Sequence, residues 1–171
     1  MMQVKTCPVP EGSLIAHRLP GAYFYDAWSL EPNDGGLCAL AYFLRAAQTT
    51  PTWINLLMSL RNQVVAHLGL KDLGHLNGFD ADKPVDQYKT GCRVGIFTLL
   101  ENHSDEALLG DSDKHLDVVL SVHKAKNSKT QRCVITVSTV VHTHNLLGRL
   151  YMLPVAPVHK LIVPSMLRAA A

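Results

Sequence analysis

The chain has 171 residues, of which 47% are hydrophobic and 18% are charged, and its formal net charge is +2. This length predicts one domain that buries a core without disulfides or metal, and the composition is that of an ordinary globular protein. The basic residues are scattered along the chain, so the sequence shows no electrostatic footprint for nucleic acid or for an anionic membrane surface.

The sequence gives only weak signals for a secretory signal peptide or a membrane-spanning helix. The N-terminal segment MMQVKTCPVPEGS lacks the apolar core of a signal peptide, and the longest apolar run, residues 150–158, contains two prolines. A spanning helix needs about 20 apolar residues, so we expect no stable membrane insertion and a cytoplasmic protein. We therefore expect free thiols in a reducing compartment at the four cysteines, which form no CxxC pair: Cys7, Cys38, Cys92 and Cys133.

The start of the chain predicts a lead-in, one strand and one helix. Residues 1–20 contain three prolines and are expected to form an irregular lead-in. Residues 22–30 are rich in aromatic side chains, which is typical of a strand. Residues 37–47 are rich in Ala and Leu, contain no helix breaker and predict the first helix.

A second helix is predicted to follow at once. Thr50 can cap it, and Pro51 suits the first helical position because no amide donor is needed there. Gly69 is expected to end it, and the polar segment 71–90 is expected to form a long surface loop. One apolar face is predicted from side chains at three- and four-residue spacing, namely Trp53, Leu56, Leu57, Leu60, Val64 and Leu68.

The second half of the chain predicts antiparallel strands over residues 92–100, 106–109, 114–123 and 133–143. The last of these is rich in Val, Ile and Thr and gives the strongest strand signal. Within 114–123, apolar side chains alternate with mostly polar ones, which is typical of a sheet that is covered on one side only.

Two connections between these strands are predicted from their composition. The aspartates and glycine of residues 110–113 are typical of a turn, and the charged segment 124–130 is typical of a hairpin loop. Residues 145–171 are then expected to form a helix that Pro154, Pro157 and Pro164 would kink or interrupt. The alternative is an extended segment with short helices on either side of the prolines.

This order of elements predicts an α+β protein with a helix-grip fold. A curved antiparallel sheet would wrap around the long C-terminal helix, two short helices would follow the first strand, and a cavity would remain between sheet and helix. The lead-in 1–20 would precede a single helix-grip domain at 21–171.

Five blocks from Thr50 onward, in order, are TPTWINLLMSLRN, RVGIF, LLGDSDKHLDVVLSV, VSTVVHTHNLLGRLYM and PVHKLIVPSML. With these blocks the chain resembles the bacterial family of unknown function DUF2867. That family is similar to the Bet v 1 and START-like (SRPBCC) superfamily, which implies the helix-grip fold. The superfamily contains lipid and steroid carriers, polyketide cyclases, hormone receptors and chaperone regulators, so the resemblance implies no particular activity or catalytic residue.

His115 and Asp117 form the first candidate site, because alternation along a strand places them on one face. The carboxylate could orient the imidazole and raise its basicity. The favoured alternative is a surface pair on the solvent face of the sheet or at a dimer interface. Asp111 and Asp113, together with this pair, resemble the alternating oxygen ligands of a calcium-binding loop. The glycine and the distal glutamate that such a loop needs are missing, so no metal site is predicted.

Arg149, Tyr151 and His159 form the second candidate site, on the predicted tail helix that would line the cavity. Arg149 could bind an anionic ligand group, and Tyr151 and His159 could orient a ligand or transfer protons. The alternative is that Arg149 pairs with Asp26 or Asp117 and fixes the helix to the sheet.

Other polar and aromatic residues have less specific signals. Trp53, expected in the core, and Arg93 complete the set of candidate ligand-binding residues. His142 and His144 share a strand face, but no third ligand is fixed by spacing, so a structural role is favoured. Asn145 is expected to cap the tail helix.

Three classes of function follow from these predictions. The first is binding of a small hydrophobic molecule, lipid or polyketide-like, in an apolar cavity and without a cofactor. The second is a cofactor-free cyclase or hydrolase that uses His115 with Asp117, or His159 with Tyr151, which needs titratable groups facing an open cavity. The third is a structural or regulatory homodimer, which needs a filled cavity and a buried outer sheet face.

Overall fold

The computed structural model of the chain describes residues 3–67, 76 and 78–170. Its centre is a seven-stranded antiparallel sheet. The strands are β1 Lys5–Thr6, β2 Phe24–Leu30, β3 Arg93–Val94, β4 Phe97–Asn102, β5 Glu106–Ser112, β6 Leu116–Lys126 and β7 Cys133–Thr143. The α-helices are α1 Ala39–Gln48, α2 Thr52–His67 and α3 Leu146–Ala170, and short 3-10 helices cover Leu14–Arg18 and Val85–Gln87.

The strand order is β1-β2-β7-β6-β5-β4-β3, so β7 lies between the N-terminal strands and the β3 to β6 meander. The helices α1 and α2 are inserted between β2 and β3, and α3 follows β7. The predicted α+β class, with an antiparallel sheet and a C-terminal helix, is confirmed. The arrangement is compatible with a helix-grip fold.

The elements with the strongest sequence patterns form as predicted. Strand β7 has the predicted bounds, and α1 begins two residues later than expected. Helix α3 is continuous from Leu146 to Ala170 with all three prolines inside it, so the alternative of an extended, interrupted tail is wrong. The four cysteines are free thiols.

One predicted strand and two predicted connections have other bounds in the structure. Strand β6 continues to Lys126, so the hairpin loop predicted at 124–130 covers residues 127–132 instead. Residues 92–100 do not form one strand: β3 and β4 are separated by a tight turn in which Gly95 has φ +61°, a conformation that suits glycine. Residues 110–113 are not a turn, because β5 continues to Ser112. The turn begins at Asp113, whose Oδ1 accepts the amide hydrogens of His115 at 2.6 Å and Leu116 at 3.0 Å.

The central strands are covered on both faces, so the prediction of a sheet covered on one side only is wrong there. Helices α1 and α3 pack on one face and form the main core. The N-terminal segment folds back over the other face, where the fully buried Ile15 packs with Leu108, Val119 and Val140. The lead-in thus contains β1 and a 3-10 helix, and its burial supplies part of the hydrophobic stabilisation.

Three residues of the apolar face predicted for helix α2 are exposed. Trp53, Leu56 and Leu60 are 40%, 72% and 56% exposed, whereas Ile54 is fully buried, so the expectation that Trp53 lies in the core is wrong. Ile54 and Met58, four residues apart, pack on the core instead, so α2 has a second apolar side that the predicted pattern does not include. Thr50 does not cap α2, since its hydroxyl donates to the carbonyls of Ala46 and Ala47 in α1.

The predicted end of α2 and part of the loop after it lie outside the described residues. These are residues 68–75 and 77, which include Gly69. The described remainder of the loop contains the 3-10 helix Val85–Gln87.

Candidate functional site

An apolar pocket lies between α1, α3 and the sheet, and its volume is about 60 Å³. Ligand pockets commonly measure roughly 300–1,000 Å³, so this one holds only a small apolar group unless a wall moves. The lining residues are Leu30, Pro32, Tyr42, Phe43, Ala46, Leu120, Val122, Ile135, Val137, Val163, Met166, Leu167 and Ala170.

Tyr42 carries the hydroxyl group among these lining side chains. It donates a hydrogen bond to the backbone carbonyl of Asp34. Burial raises the pKa of Tyr42 to about 12, with further contributions from Cys133 and Asp34. The phenol is therefore neutral at physiological pH, and its bond ties α1 to the segment after β2.

A second, larger cavity of about 840 Å³ lies at the edge of the sheet between β1, β2 and the hairpin that joins β6 to β7. Its walls include Lys5, Arg132, Glu31 and Asn127. Both signs of charge are present, so the groove has no electrostatic preference that would identify a ligand.

The start of α3 is fixed to the loop before β6. Asn145 Oδ1 accepts the amide hydrogen of Gly148 at 3.0 Å, which confirms the predicted cap. Its Nδ2 donates to the Lys114 carbonyl at 3.0 Å and lies 2.9 Å from His115 Nδ1. His115, only 8% exposed, is thus a link between β6 and α3.

His115 and Asp117 have different partners in the folded chain. The His115 ring contacts Asn145, whereas Asp117 accepts a hydrogen bond from Ser112 and lies 3.1 Å from His144 Nε2. Both sets of contacts are structural, and a role in proton transfer stays a prediction.

The pKa of Asp117 is set by opposing effects. Burial raises it, but hydrogen bonds from Ser112 and His144 and the charges of His144 and His142 together lower it by more, so the net pKa lies below the ordinary value of an aspartate. A carboxylate whose pKa is lower in the folded state than in the unfolded state stabilises the fold at pH values above its unfolded-state pKa. This stabilisation is lost as the pH falls through the folded-state pKa.

We therefore expect Asp117→Asn to lower the free energy of unfolding at pH 7 by no more than about 1 kcal/mol, because the pair is partly exposed. The difference from wild type should shrink towards zero below about pH 3. Urea unfolding at several pH values measures it, with the exposed Asp105→Asn as the control for losing one surface charge. A difference that stays constant down to that pH would contradict the assignment.

Other polar candidates in this part of the sheet also have contact partners in the protein. Arg93 Nη1 lies 3.2 Å from Asp111 Oδ1, which joins β3 to β5, and Arg93 is not among the residues that line the apolar pocket. His142 Nε2 lies 3.1 Å from the Pro20 carbonyl oxygen. Within the described ranges, no group of three or more His, Cys, Asp or Glu side chains is arranged to hold a metal ion.

His159 lies at the centre of a polar cluster between α3 and the sheet. Its Nδ1 is 3.2 Å from Asp26 Oδ2, and its Nε2 is 3.4 Å from Thr139 Oγ1. Asp26 Oδ2 also accepts from Trp28 Nε1 at 3.1 Å, and the Phe24 ring meets the imidazole edge to face. Sequence reasoning named His159 but connected Asp26 with Arg149.

This cluster has the connectivity of a carboxylate, imidazole and hydroxyl relay. A proton on Nδ1 that is donated to Asp26 leaves Nε2 free to accept from the Thr139 hydroxyl. Thr139 is only 2% exposed, however, so a substrate has no direct access to its hydroxyl. In this conformation the cluster fixes α3 to β2 and β7.

The remaining candidates lie on the α2 and α3 side of the protein. Tyr151 accepts a hydrogen bond from Arg61 Nε at 2.9 Å, and the Arg61 guanidinium lies 5.5 Å from the centre of its ring. Arg149 is exposed. The α3 side chains that line the pocket come from later turns, starting at Val163, so ligand binding by Arg149, Tyr151, His159 and Trp53 stays a prediction.

Comparison with protein families decides the membership of the chain. The model of a family described as "Protein of unknown function (DUF2867)" matches residues 18–166. The chain belongs to the DUF2867 family. The match extends from the end of the first 3-10 helix into the last turns of α3, and it confirms the resemblance to DUF2867 found in the sequence. It includes the His159 cluster and all of the pocket lining except Leu167 and Ala170. Neither the curated proteins nor the solved structures give a match.

Proposed function

We propose that this DUF2867 protein binds a small hydrophobic molecule, lipid or polyketide-like, in the pocket between α1, α3 and the sheet. The observation that supports this most is the pocket lining, which is built from apolar side chains of both helices and three strands. Its place between sheet and C-terminal helix is where a helix-grip protein of the Bet v 1 and START-like type would hold a ligand. The binding needs no cofactor.

Displacement of α3 would enlarge the pocket for a ligand. The helix contributes Val163, Met166 and Leu167 to the wall, so its outward movement opens that side. Each of its prolines lacks the amide hydrogen that would bond to the carbonyl four residues earlier, which weakens the backbone ladder at 154, 157 and 164. The Asn145 cap holds the start of α3, so we propose that its C-terminal half moves.

An acid–base enzyme is the second candidate function, and the His159 cluster favours it. Asp26 holds the imidazole in the orientation that a general base requires, with Nε2 directed at a hydroxyl. Ligand binding has more support because the cluster does not line the pocket and Thr139 is buried. A homodimer through the polar sheet face has less support, since the N-terminal segment itself covers Val119 and Val140 there.

Native mass spectrometry of the protein purified from its own host tests the proposed function. We expect a discrete additional mass that organic extraction releases as a small apolar compound. Ala46→Leu fills part of the pocket wall and should remove this mass, whereas Ala169→Leu, at an exposed position of α3, should retain it.

Either of two results would overturn the binding proposal: a wild-type protein that carries no additional mass, or an Ala46→Leu variant that carries it unchanged. His159→Asn separates the two functions. If the protein only binds, His159→Asn should retain the bound mass. If the wild type converts the bound compound and His159→Asn does not, the result would support the enzyme instead.

A further inference from the structure

Helix α3 exposes a continuous apolar stripe. Leu146, Leu150, Leu153 and Leu161 are 70%, 52%, 64% and 63% exposed, and Pro157 between them is exposed as well. Spacings of three and four residues place all five on one side of the helix, over a length of roughly 22 Å. Leucines in such a row are rarely left to water in a soluble protein unless the surface has a partner.

The neighbouring helix α2 adds a second row. Trp53, Leu56 and Leu60 also follow three- and four-residue spacing and are exposed. The two helices meet where the Arg61 guanidinium lies over the Tyr151 ring. The exposed leucines of α3 and this row together define what we call the α2–α3 face.

The charge of the helices identifies the class of partner. The sequences of α1, α2 and α3 contain no Asp or Glu. Arg149, Lys160 and Arg168 are exposed on α3, and Arg149 and Lys160 border its apolar stripe. Two cations therefore lie beside the exposed leucines of α3, with no carboxylate in the helix to offset them.

We propose that the α2–α3 face docks on the surface of an anionic membrane. Apolar side chains would enter the boundary between headgroups and acyl chains, cations would contact lipid phosphates, and Trp53 would suit the interface. A second copy of the chain fits this face less well, because two such faces would bring cations of the same sign together. The inference does not depend on the pocket.

The helix docks in the plane of the membrane and does not span it. By length and composition α3 could cross a membrane, a test that a core helix of a soluble protein also passes. Met152, Val163 and Leu167 are buried against the rest of the protein, and His159 is bonded to Asp26 in the sheet. Insertion across the bilayer would break these contacts.

Flotation with lipid vesicles tests the proposal. The wild type should float with vesicles of phosphatidylcholine mixed with phosphatidylglycerol, more than with phosphatidylcholine alone, and high salt should weaken the binding. The double variant Leu153→Glu/Leu161→Glu should reduce the partition coefficient by at least about tenfold. Tyr25→Glu, at a 60% exposed position of β2, should leave it unchanged.

Charge reversal and self-association complete the test. Arg149→Glu/Lys160→Glu should abolish the preference for the anionic vesicles. Absence of wild-type flotation with either vesicle would overturn the proposal, and so would equal flotation of wild type and the double leucine variant. A dimer in sedimentation velocity without lipid, lost in the double leucine variant, would also overturn it and assign the face to a second copy.

Discussion

Replacement of Gly148 by alanine is expected to lower the free energy of unfolding by about 2 kcal/mol. A Cβ atom at this position would overlap the carbonyl oxygen of His115 and lie 3.1 Å from its carbonyl carbon. These are backbone atoms of the loop before β6, so they cannot rotate away as a flexible side chain would. Alanine favours a helix by about 1 kcal/mol over glycine, which offsets only part of the cost.

Urea unfolding of Gly148→Ala against wild type measures this effect. Gly12→Ala is the matched control, because a Cβ atom there meets nothing within 4 Å. We expect the control to change the free energy of unfolding by less than about 0.5 kcal/mol. If Gly148→Ala proves as stable as Gly12→Ala, α3 does not start against the His115 backbone as described.

Replacement of Glu106 by alanine is expected to cost about 3 kcal/mol of unfolding free energy. The carboxylate is 4% exposed and accepts the amide hydrogen of Leu14 at 2.7 Å, that of Ile15 at 3.4 Å and the Ser121 hydroxyl at 2.7 Å. Its removal leaves three donors without this acceptor, in a place from which water is largely excluded. The N-terminal 3-10 helix would then separate from the sheet.

Two measurements distinguish this role from a general loss of stability. Amide hydrogen exchange at Leu14 and Ile15 should accelerate more than exchange in the centre of β7. The more exposed Glu101→Ala should change the free energy of unfolding by less than about 0.5 kcal/mol. Unchanged protection of the two N-terminal amides would show that Glu106 does not hold this segment.

The parts of the fold that the sequence predicts are those whose signal is local. Strand β7 has a dense run of β-branched residues, and α3 keeps an apolar pattern across its three prolines. Gly95 shows what local composition does not predict, because this one glycine divides the predicted strand 92–100 into two strands without changing the average composition of the segment.

The parts that the sequence does not predict depend on contacts between distant segments. An amphipathic pattern shows that α2 has an apolar side but does not show whether anything covers it. His159 was identified as a candidate, yet its partner Asp26 is 133 residues away in the sequence. Likewise, the cover formed by Ile15 over the outer sheet face depends on Glu106, and no local spacing connects these two residues.

Methyl-selective NMR during a titration with decanoic acid is the most direct test of the claim that the pocket between α1, α3 and the sheet binds a hydrophobic molecule. We expect saturable shifts at the methyl groups of Leu120, Val137 and Val163, and their loss in Ala46→Leu but not in Ala169→Leu. Shifts confined to the exposed Leu153 and Leu161, or no shifts at all, would contradict a ligand site in the pocket.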